Sequence, residues 1–382
     1  MLEQLRIENF RCFKSFELEH FGRVNLLVGE NNSGKTSILE AIKLFCSRGD
    51  FETIYQLATN RGEYFQHTEE IDLSHLFYKH KTATNHKIKI SGINNREKKQ
   101  LLIAILYNDD SLKDEIKQEI FWISEKNLKE QYKYLNYLKQ KSIESDPNFL
   151  HRINSYTLFL TREQYNMGYY DDYDTVYGSP IIRFMVTGDS TIIKTIFRTS
   201  SLLSSQKSLY LFNQIVLTPE EDLVYQALQI IEPNIERIAP IGNDIKNNNS
   251  RSGFFVRLKD TQKRIPIGSM GDGIWRMLGL SLALVSAKDG VLLVDEIDTG
   301  LHYTALEDMW KLIWETSKKL NVQVFATTHS SDCWKALEAL TSREDVGEED
   351  ISIQRIEKDA PRSVAYNKEE IATAVEREIE VR

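Results

Sequence analysis

Cysteine is scarce in this sequence, with three residues in 382, and their positions exclude two common uses of the side chain. Cys12, Cys46 and Cys333 are odd in number and far apart along the chain, so they do not build a disulfide framework. They also lack the close spacing of zinc ligands. We therefore expect buried or inert thiols in a protein of a reducing compartment.

Long apolar runs are absent too. The most apolar stretches cover residues 278–287 and 291–294, well short of the roughly 18 residues that a membrane-spanning helix requires. The first six residues carry no apolar core behind a basic start, so the pattern of a secretory signal peptide is missing. We expect a cytoplasmic protein that makes no membrane contact.

An excess of basic residues is missing as well, since the formal net charge is −8. Proteins that bind nucleic acid along much of their surface are usually basic, so any DNA contact of this chain has to be local. Residues 79–99 are the candidate, with seven Lys or Arg and one acidic residue. This segment either meets DNA phosphates or forms a strand edge that lysines protect, and the sequence leaves both interpretations open.

What the sequence does contain is an α/β pattern. Apolar residues make up 41% of the chain and charged residues 27%, which suits a soluble protein with a full core. Short apolar runs predict strands, and apolar residues at three-to-four spacing predict helices. The predicted strands are 2–10, 13–18, 24–28, 235–241, 254–258, 291–294, 322–326, 351–356 and 363–366, and the predicted helices are 33–45, 223–231, 274–285, 303–320 and one from 368.

Apart from helix 223–231, the predicted strands and helices of the α/β pattern fall into two separate segments of the chain. We predict one split domain of residues 1–50 and 232–382, with a mixed sheet that is preceded by antiparallel strands. Residues 51–231 are predicted to form an inserted, largely helical lobe. The reason is residues 109–149, where acidic and basic side chains alternate with apolar residues at helical spacing.

A glycine-rich segment at residues 29–36 carries the strongest functional signal. Its sequence, G-E-N-N-S-G-K-T, matches the phosphate-binding pattern G-x-x-x-x-G-K-[ST] and lies between a predicted buried strand and a helix. The glycines let the backbone curl so that successive N–H groups point at phosphate oxygens, and the helix N-terminus adds partial positive charge. The candidate nucleotide-binding residues are Gly29, Asn31, Asn32, Ser33, Gly34, Lys35, Thr36 and Ser37.

Two acidic residues follow a second buried strand, in the run V-L-L-V-D-E at 291–296. Asp295 is suited to bind Mg²⁺ at the carboxyl end of the sheet, where ligands lie in such folds. Glu296 is suited to orient or deprotonate an attacking water. His329 follows the next predicted strand, so we expect it at the same edge of the sheet.

A second glycine-containing segment, G-S-M-G-D-G at 268–273, precedes the predicted apolar helix at 274–285. A serine and small residues at a helix start make another anion-binding cradle, with Ser269, Gly271 and Gly273 as candidate ligands. The alternative is a glycine loop that only caps the helix.

Together these motifs resemble the ABC-type ATPases of the RecF, structural-maintenance-of-chromosomes (SMC) and OLD (overcoming lysogenisation defect) group. The start L-R-I-E-N-F-R-C-F at 5–13 is similar to that group's I-x-N-F-R-x-F opening, and G-E-N-N-S-G-K-T-S, S-M-G-D-G and D-E-I-D-T-G-L-H look most like OLD-like AAA family ATPases. The resemblance covers residues 1–46 and 235–360. It implies an ABC-type P-loop ATPase head that binds ATP and Mg²⁺.

The resemblance also implies roles for the residues of one nucleotide site. Lys35, Glu296 and His329 would carry hydrolysis, with His329 at the γ-phosphate. Thr36 and Asp295 would hold Mg²⁺.

ABC-type subunits complete each other's sites, so the resemblance implies that Ser269, Gly271 and Gly273 cap the nucleotide of a second copy. The expected assembly is a homodimer or a higher homo-oligomer. Two departures stand out. The LSGGQ sequence of transporters is missing. His302 stands where many ABC proteins have Asp, and it either replaces the usual contact between subunits or is a surface residue. For the glutamine loop, Gln66 is the candidate.

OLD proteins continue into a TOPRIM nuclease, and the sequence after His329 is too short for one. We therefore expect a separately encoded effector, with a nuclease as one candidate, and a role in antiphage defence or DNA repair. Two other functions stay open. One is a nucleotide-stabilised scaffold with little turnover, and the other is a transporter ATPase subunit, which the N-F-R start disfavours.

Overall fold

The computed structural model describes residues 1–63, 72–81, 87–107, 180–187, 192–199, 205–240, 253–259 and 263–381. Its strands are β1 (Leu2–Phe10), β2 (Phe13–Leu18), β3 (Val24–Val28), β4 (Lys87–Asn94), β5 (Glu97–Tyr107), β6 (Pro180–Thr187), β7 (Thr195–Arg198), β8 (Ile235–Pro240), β9 (Phe254–Leu258), β10 (Ile265–Pro266), β11 (Val291–Val294), β12 (Gln323–Thr327), β13 (Ile351–Arg355) and β14 (Val364–Tyr366). The helices are α1 (Lys35–Ser47), α2 (Phe51–Arg61), α3 (Ser205–Asn213), α4 (Glu221–Gln229), α5 (Asp272–Ser286), α6 (Leu306–Lys319), α7 (Ser331–Ala336) and α8 (Lys368–Glu376).

A six-stranded mixed sheet forms the centre, in the order β14-β13-β3-β12-β11-β7. The five strands from β13 to β7 are mutually parallel, and β14 pairs antiparallel with β13. Helix α6 connects β11 to β12, which is the predicted strand–helix–strand unit. Because parallel neighbours end at the same edge, the loops after β3, β11 and β12 meet there.

Both faces of the central sheet are covered, which is why its strands read as continuous apolar runs. Leu26 and Leu292 pack with the core that contains α5 and α6, whereas Leu27, Leu293 and Phe325 pack with the core that contains α1 and the N-terminal strands. All five side chains are fully buried. Each contributes about 1.5–3 kcal/mol of transfer free energy, so the position of the sheet edge is firmly fixed.

The N-terminal strands form a second, antiparallel sheet in the order β2-β1-β4-β5-β6. The predicted hairpin is confirmed, with Phe10 opposite Phe13. The buried side chain of Gln323 ties this sheet to the central one, since it accepts from the backbone N–H of Leu2 and donates to the Leu2 carbonyl oxygen, both at 2.8 Å. The fold class is therefore the predicted one, α/β with a mixed sheet and N-terminal antiparallel strands.

The interval 51–231 differs from the predicted, largely helical lobe. Its described part contains helices, but β4, β5 and β6 extend the N-terminal sheet and β7 is the edge strand of the central sheet next to β11. Pairing with distant strands outweighs local spacing in these four strands. The helices predicted within 109–149 lie outside the described residues.

The described ranges contain three free cysteines and no membrane-spanning helix. Cys46 and Cys333 are buried and Cys12 is exposed, and all three are free thiols. Burial raises the pKa of the Cys46 thiol to about 12. No helix in these ranges is long and apolar enough to cross a bilayer.

Candidate functional site

The phosphate loop connects β3 to α1 and is built on left-handed backbone. Gly29, Asn32 and Gly34 have φ angles of 145°, 61° and 100°. A Cβ atom on Gly29 would lie 2.3 Å from the carbonyl oxygen of Ile356, so that position admits only glycine. The loop curls over the N-terminus of α1, as the sequence predicts.

Lys35 begins α1 and turns its ammonium group back into this loop. It is 4% exposed, and its Nζ donates to the carbonyl oxygens of Gly29 and Glu30 at 2.8 Å each. Burial lowers the pKa of Lys35 to about 8, while the charges of Asp295 and Glu296 oppose that shift. A cation held inside a phosphate loop is suited to bind phosphate oxygens.

Thr36 and Asp295 come together although 259 residues separate them. The Thr36 hydroxyl donates to both carboxylate oxygens of Asp295, at 3.1 and 3.0 Å. A hydroxyl and a carboxylate beside a phosphate site are hard oxygen donors of the kind that Mg²⁺ prefers. The pair therefore fits the metal ligands that the sequence predicts.

Thr327, the last residue of β12, was not predicted from the sequence. Its hydroxyl donates to Oδ1 of Asp295 at 2.6 Å and accepts from the backbone N–H of Glu296 at 2.8 Å. One buried side chain thus orients both acidic residues. The signal that could have found it is its position, because a polar residue at the end of the neighbouring parallel strand meets the same sheet edge.

Replacing Thr327 by Val is expected to lower kcat for ATP hydrolysis by about tenfold, because Asp295 loses a charge-assisted hydrogen bond and the Glu296 N–H loses its acceptor. The measurement is steady-state phosphate production at saturating ATP. Thr316→Val, a buried threonine on α6, is the matched control and keeps wild-type kcat. An unchanged kcat in Thr327→Val would show that the threonine does not position the acids.

Glu296 sits in the turn after β11 with a φ angle of 51°. A non-glycine residue costs about 1 kcal/mol or more in the left-handed region and is enriched there at functional sites. The turn is held by the Thr299 N–H, which donates to the Glu296 carbonyl oxygen at 3.1 Å, and by the Thr299 hydroxyl, which donates to Oε2 at 3.3 Å. Glu296 is half-buried and directly follows Asp295, a position suited to a general base.

His329 follows β12 and is half-buried at the same edge. Burial lowers its pKa, and the positive charge of Lys35 lowers it further, while Glu296, Asp295 and Asp298 act in the opposite direction. The lowered pKa favours the neutral imidazole, which carries one N–H donor.

The N-terminal hairpin supports the phosphate loop from behind. A Cβ atom on Gly34 would lie 2.4 Å from Cζ of Phe13 and 2.7 Å from Sγ of Cys12, so the hairpin tip packs directly on the loop. Buried Arg11 pairs through Nε with Glu40 of α1 at 3.0 Å, and Arg61 of α2 pairs with the other oxygen of Glu40 at 2.7 Å. The R-C-F portion of the opening motif thus anchors the helix that carries Lys35 and Thr36.

The second cradle lies at the surface, ahead of α5. Ser269 is exposed, and its hydroxyl donates to the Pro266 carbonyl oxygen at 2.7 Å. Gly271 has a φ angle of 94°, and a Cβ atom there would meet no heavy atom within 4 Å. Gly273 is half-buried against Gly300, whose carbonyl oxygen would lie 3.6 Å from an added Cβ atom. The open space beside Ser269 and Gly271 is free for another molecule.

Three further predicted features have different outcomes. His302 is exposed, with Nδ1 2.9 Å from the Thr304 hydroxyl, and both interpretations of it stay open. Gln66 lies outside the described residues. The strand-edge interpretation of residues 79–99 is wrong for β4 and β5, because each has a neighbour on both sides in the sheet. Lys89 pairs there with Glu8 at 3.6 Å.

Comparison with known proteins places these motifs in a family. The family described as "AAA ATPase domain" matches residues 1–333. An "ATP/GTP phosphatase" of Helicobacter pylori is 22% identical over 363 residues, covering 90% of each chain. The "DNA replication and repair protein RecF" of Clostridioides difficile is 46% identical over 52 residues, which is 14% of each chain.

Two SMC heads are among the solved structures that match the chain. The SMC head domain from Thermotoga maritima has a TM-score of 0.41 at 12% identity and covers 96% of this chain and 98% of that one. A Smc head domain bound to the C-terminal domain of ScpA, from Pyrococcus furiosus, has a TM-score of 0.46 at 12% identity with 99% of both chains covered. On the family match over residues 1–333, the chain belongs to the AAA ATPase domain family.

Proposed function

We propose that this ATPase hydrolyses ATP at a site that two copies of the chain complete together, and that its nucleotide state controls a separate effector protein. The observation that carries the catalytic part is the network in which Thr327 binds both Asp295 and the backbone of Glu296 while Asp295 accepts from Thr36. Such a network unites the phosphate loop, the metal pair and the base at one sheet edge.

The chemistry follows from where each group lies. Backbone N–H groups of the phosphate loop and Lys35 would bind the phosphates. Thr36 and Asp295 would hold Mg²⁺, which would supply charge neutralisation at the phosphates when bound. Glu296 accepts a proton from the attacking water. Neutral His329 donates a hydrogen bond to the γ-phosphate.

Completion by a second copy is supported by the exposed cradle of Ser269 and Gly271. Ser269 and Gly271 are exposed and lie directly before α5, and a helix N-terminus favours an anion. A symmetric dimer would bring each cradle to the nucleotide of the other chain. ATP bound between the two copies would then hold them together until it is hydrolysed.

Ser269→Arg is expected to leave ATP binding by single chains and dimerisation unchanged and to lower steady-state hydrolysis by about 100-fold, because the serine hydroxyl no longer contacts the partner's nucleotide in the transition state. Nucleotide affinity, phosphate production and sedimentation velocity with ATP are the measurements. Ser342→Arg, at another exposed serine, is the control. Full hydrolysis by Ser269→Arg would rule out a role for the cradle.

The biological setting is inferred from similarity. The RecF protein that matches 14% of the chain is named for DNA replication and repair, and the OLD-like sequence of the motifs favours antiphage defence. A local DNA contact through the basic residues of β4 and β5 is compatible with either setting. Pull-down of the ATP-bound, hydrolysis-deficient protein from its own cells, with identification of bound protein and nucleic acid, tests this part. Recovery of neither would contradict it.

A further inference from the structure

A small cavity lies behind the acidic pair, between β7, β11, α5 and the turn after Glu296. Arg198, Arg276, Glu296 and Thr299 are among the residues that line it. The volume of the cavity that the centre of a water molecule can occupy is about 10 Å³. This is room for about one water molecule. The cavity is therefore sized for one small ligand and excludes a nucleotide.

Arg198, the last residue of β7, is the deeply buried cation of this cavity. It is 7% exposed, and its Nη1 donates to the carbonyl oxygen of Arg276 at 3.1 Å. Within the part of the chain that the structure describes, no carboxylate lies within 4.0 Å of its guanidinium group. Burial lowers the pKa of Arg198 to about 10, and the positive charge of Arg276 contributes to the lowering. A buried cation in this setting is stabilised by an anion.

Two glycines make room for the two guanidinium groups. A Cβ atom on Gly279 would lie 2.8 Å from Nη1 of Arg198, and a Cβ atom on Gly300 would lie 2.3 Å from Nε of Arg276. Any larger residue at either position would push the neighbouring guanidinium group away. The backbone of α5 and of the turn after β11 is thus shaped around both arginines.

The acidic residues on the same wall are engaged elsewhere. Asp295 accepts from the hydroxyls of Thr36 and Thr327, and Oε2 of Glu296 accepts from Thr299. These carboxylate oxygens are therefore hydrogen-bonded to threonines of the phosphate loop, β12 and the turn after β11. Neither provides the contact partner that the Arg198 guanidinium group lacks among the described residues.

We propose that Arg198 and Arg276 bind one halide ion in this cavity, which is chloride under cellular conditions. A halide is only slightly larger than water, carries a negative charge that can contact the Arg198 guanidinium group directly, and accepts several N–H donors at once. Phosphate and sulfate are too large for the space. The site lies next to Glu296 but does not depend on ATP hydrolysis, so its test is separate from that of the proposed function.

The first test compares thermal unfolding of the nucleotide-free full chain in chloride and in gluconate at equal ionic strength. Chloride binding to the native state raises the melting temperature in a saturable way. Arg198→Gln is expected to abolish the difference between the two salts. Arg257→Gln, at an exposed arginine paired with Glu236 on another sheet, is expected to keep it.

Two further measurements test the halide site if Arg198→Gln does not fold. Gly279→Ala, whose methyl group displaces the Arg198 guanidinium group, is expected to reduce the chloride-dependent shift at least severalfold. Crystals of the wild-type protein grown in bromide are expected to show an anomalous peak between Arg198 and Arg276. Equal melting temperatures in chloride and gluconate, or no bromide in the cavity, would overturn the halide site while leaving the ATPase assignment intact.

Discussion

Replacing Glu296 by Gln is expected to lower ATP hydrolysis by about 10²- to 10⁴-fold, the usual contribution of a general base, while ATP binding is retained. Glutamine keeps the shape of the side chain but does not accept the proton of the attacking water. The backbone N–H of residue 296 still donates to Thr327, so the position of Asp295 is preserved. The measurements are single-turnover phosphate production and binding of a fluorescent ATP analogue.

The matched control is Glu307→Gln, at an exposed glutamate in the first turn of α6, which is expected to hydrolyse ATP at the wild-type rate. Undiminished hydrolysis by Glu296→Gln would remove Glu296 from the catalytic role. The variant also separates the ATPase from the scaffold interpretation. A nucleotide-stabilised scaffold would keep its cellular function in Glu296→Gln, whereas a protein whose role requires turnover would lose it.

Lys35→Ala is expected to weaken ATP binding by about 100-fold or more, since two charge-assisted hydrogen bonds to phosphate oxygens are lost at about 1.5–3 kcal/mol each. The Gly29 and Glu30 carbonyl oxygens also lose the ammonium group that donates a hydrogen bond to each of them. Equilibrium binding of the fluorescent analogue measures the loss. Lys311→Ala, at an exposed lysine of α6, is expected to bind as tightly as wild type, and equal affinity in Lys35→Ala would contradict the assigned phosphate site.

Much of the head could be predicted because its signals are local. The run from Val24 to Val28, the glycine turn and the helix after it follow one another within 25 residues, and each has its own spacing or composition. The same holds for the acidic residues after β11. A motif that fixes both the chemistry and the backbone shape leaves little freedom for an alternative fold.

The remaining features depend on which strands become neighbours, and local spacing contains no such information. Thr327 orients Asp295 only because β12 lies beside β11. Arg198 borders the cavity only because β7 adds to the central sheet, although its sequence lies in the interval predicted as an inserted lobe. The Arg11–Glu40 pair likewise arises from packing of the hairpin on α1.

The most direct test of the central claim mixes two variants that are inactive alone. If the site is completed across two chains, a mixed dimer of Lys35→Ala and Ser269→Arg contains one intact site, with Lys35 from one chain and Ser269 from the other. Random pairing of symmetric dimers then restores up to about a quarter of the wild-type ATPase rate. Adding Glu296→Gln to the Ser269→Arg chain is the control and removes this activity. A mixture that stays as inactive as its separate components would contradict a site shared between two copies.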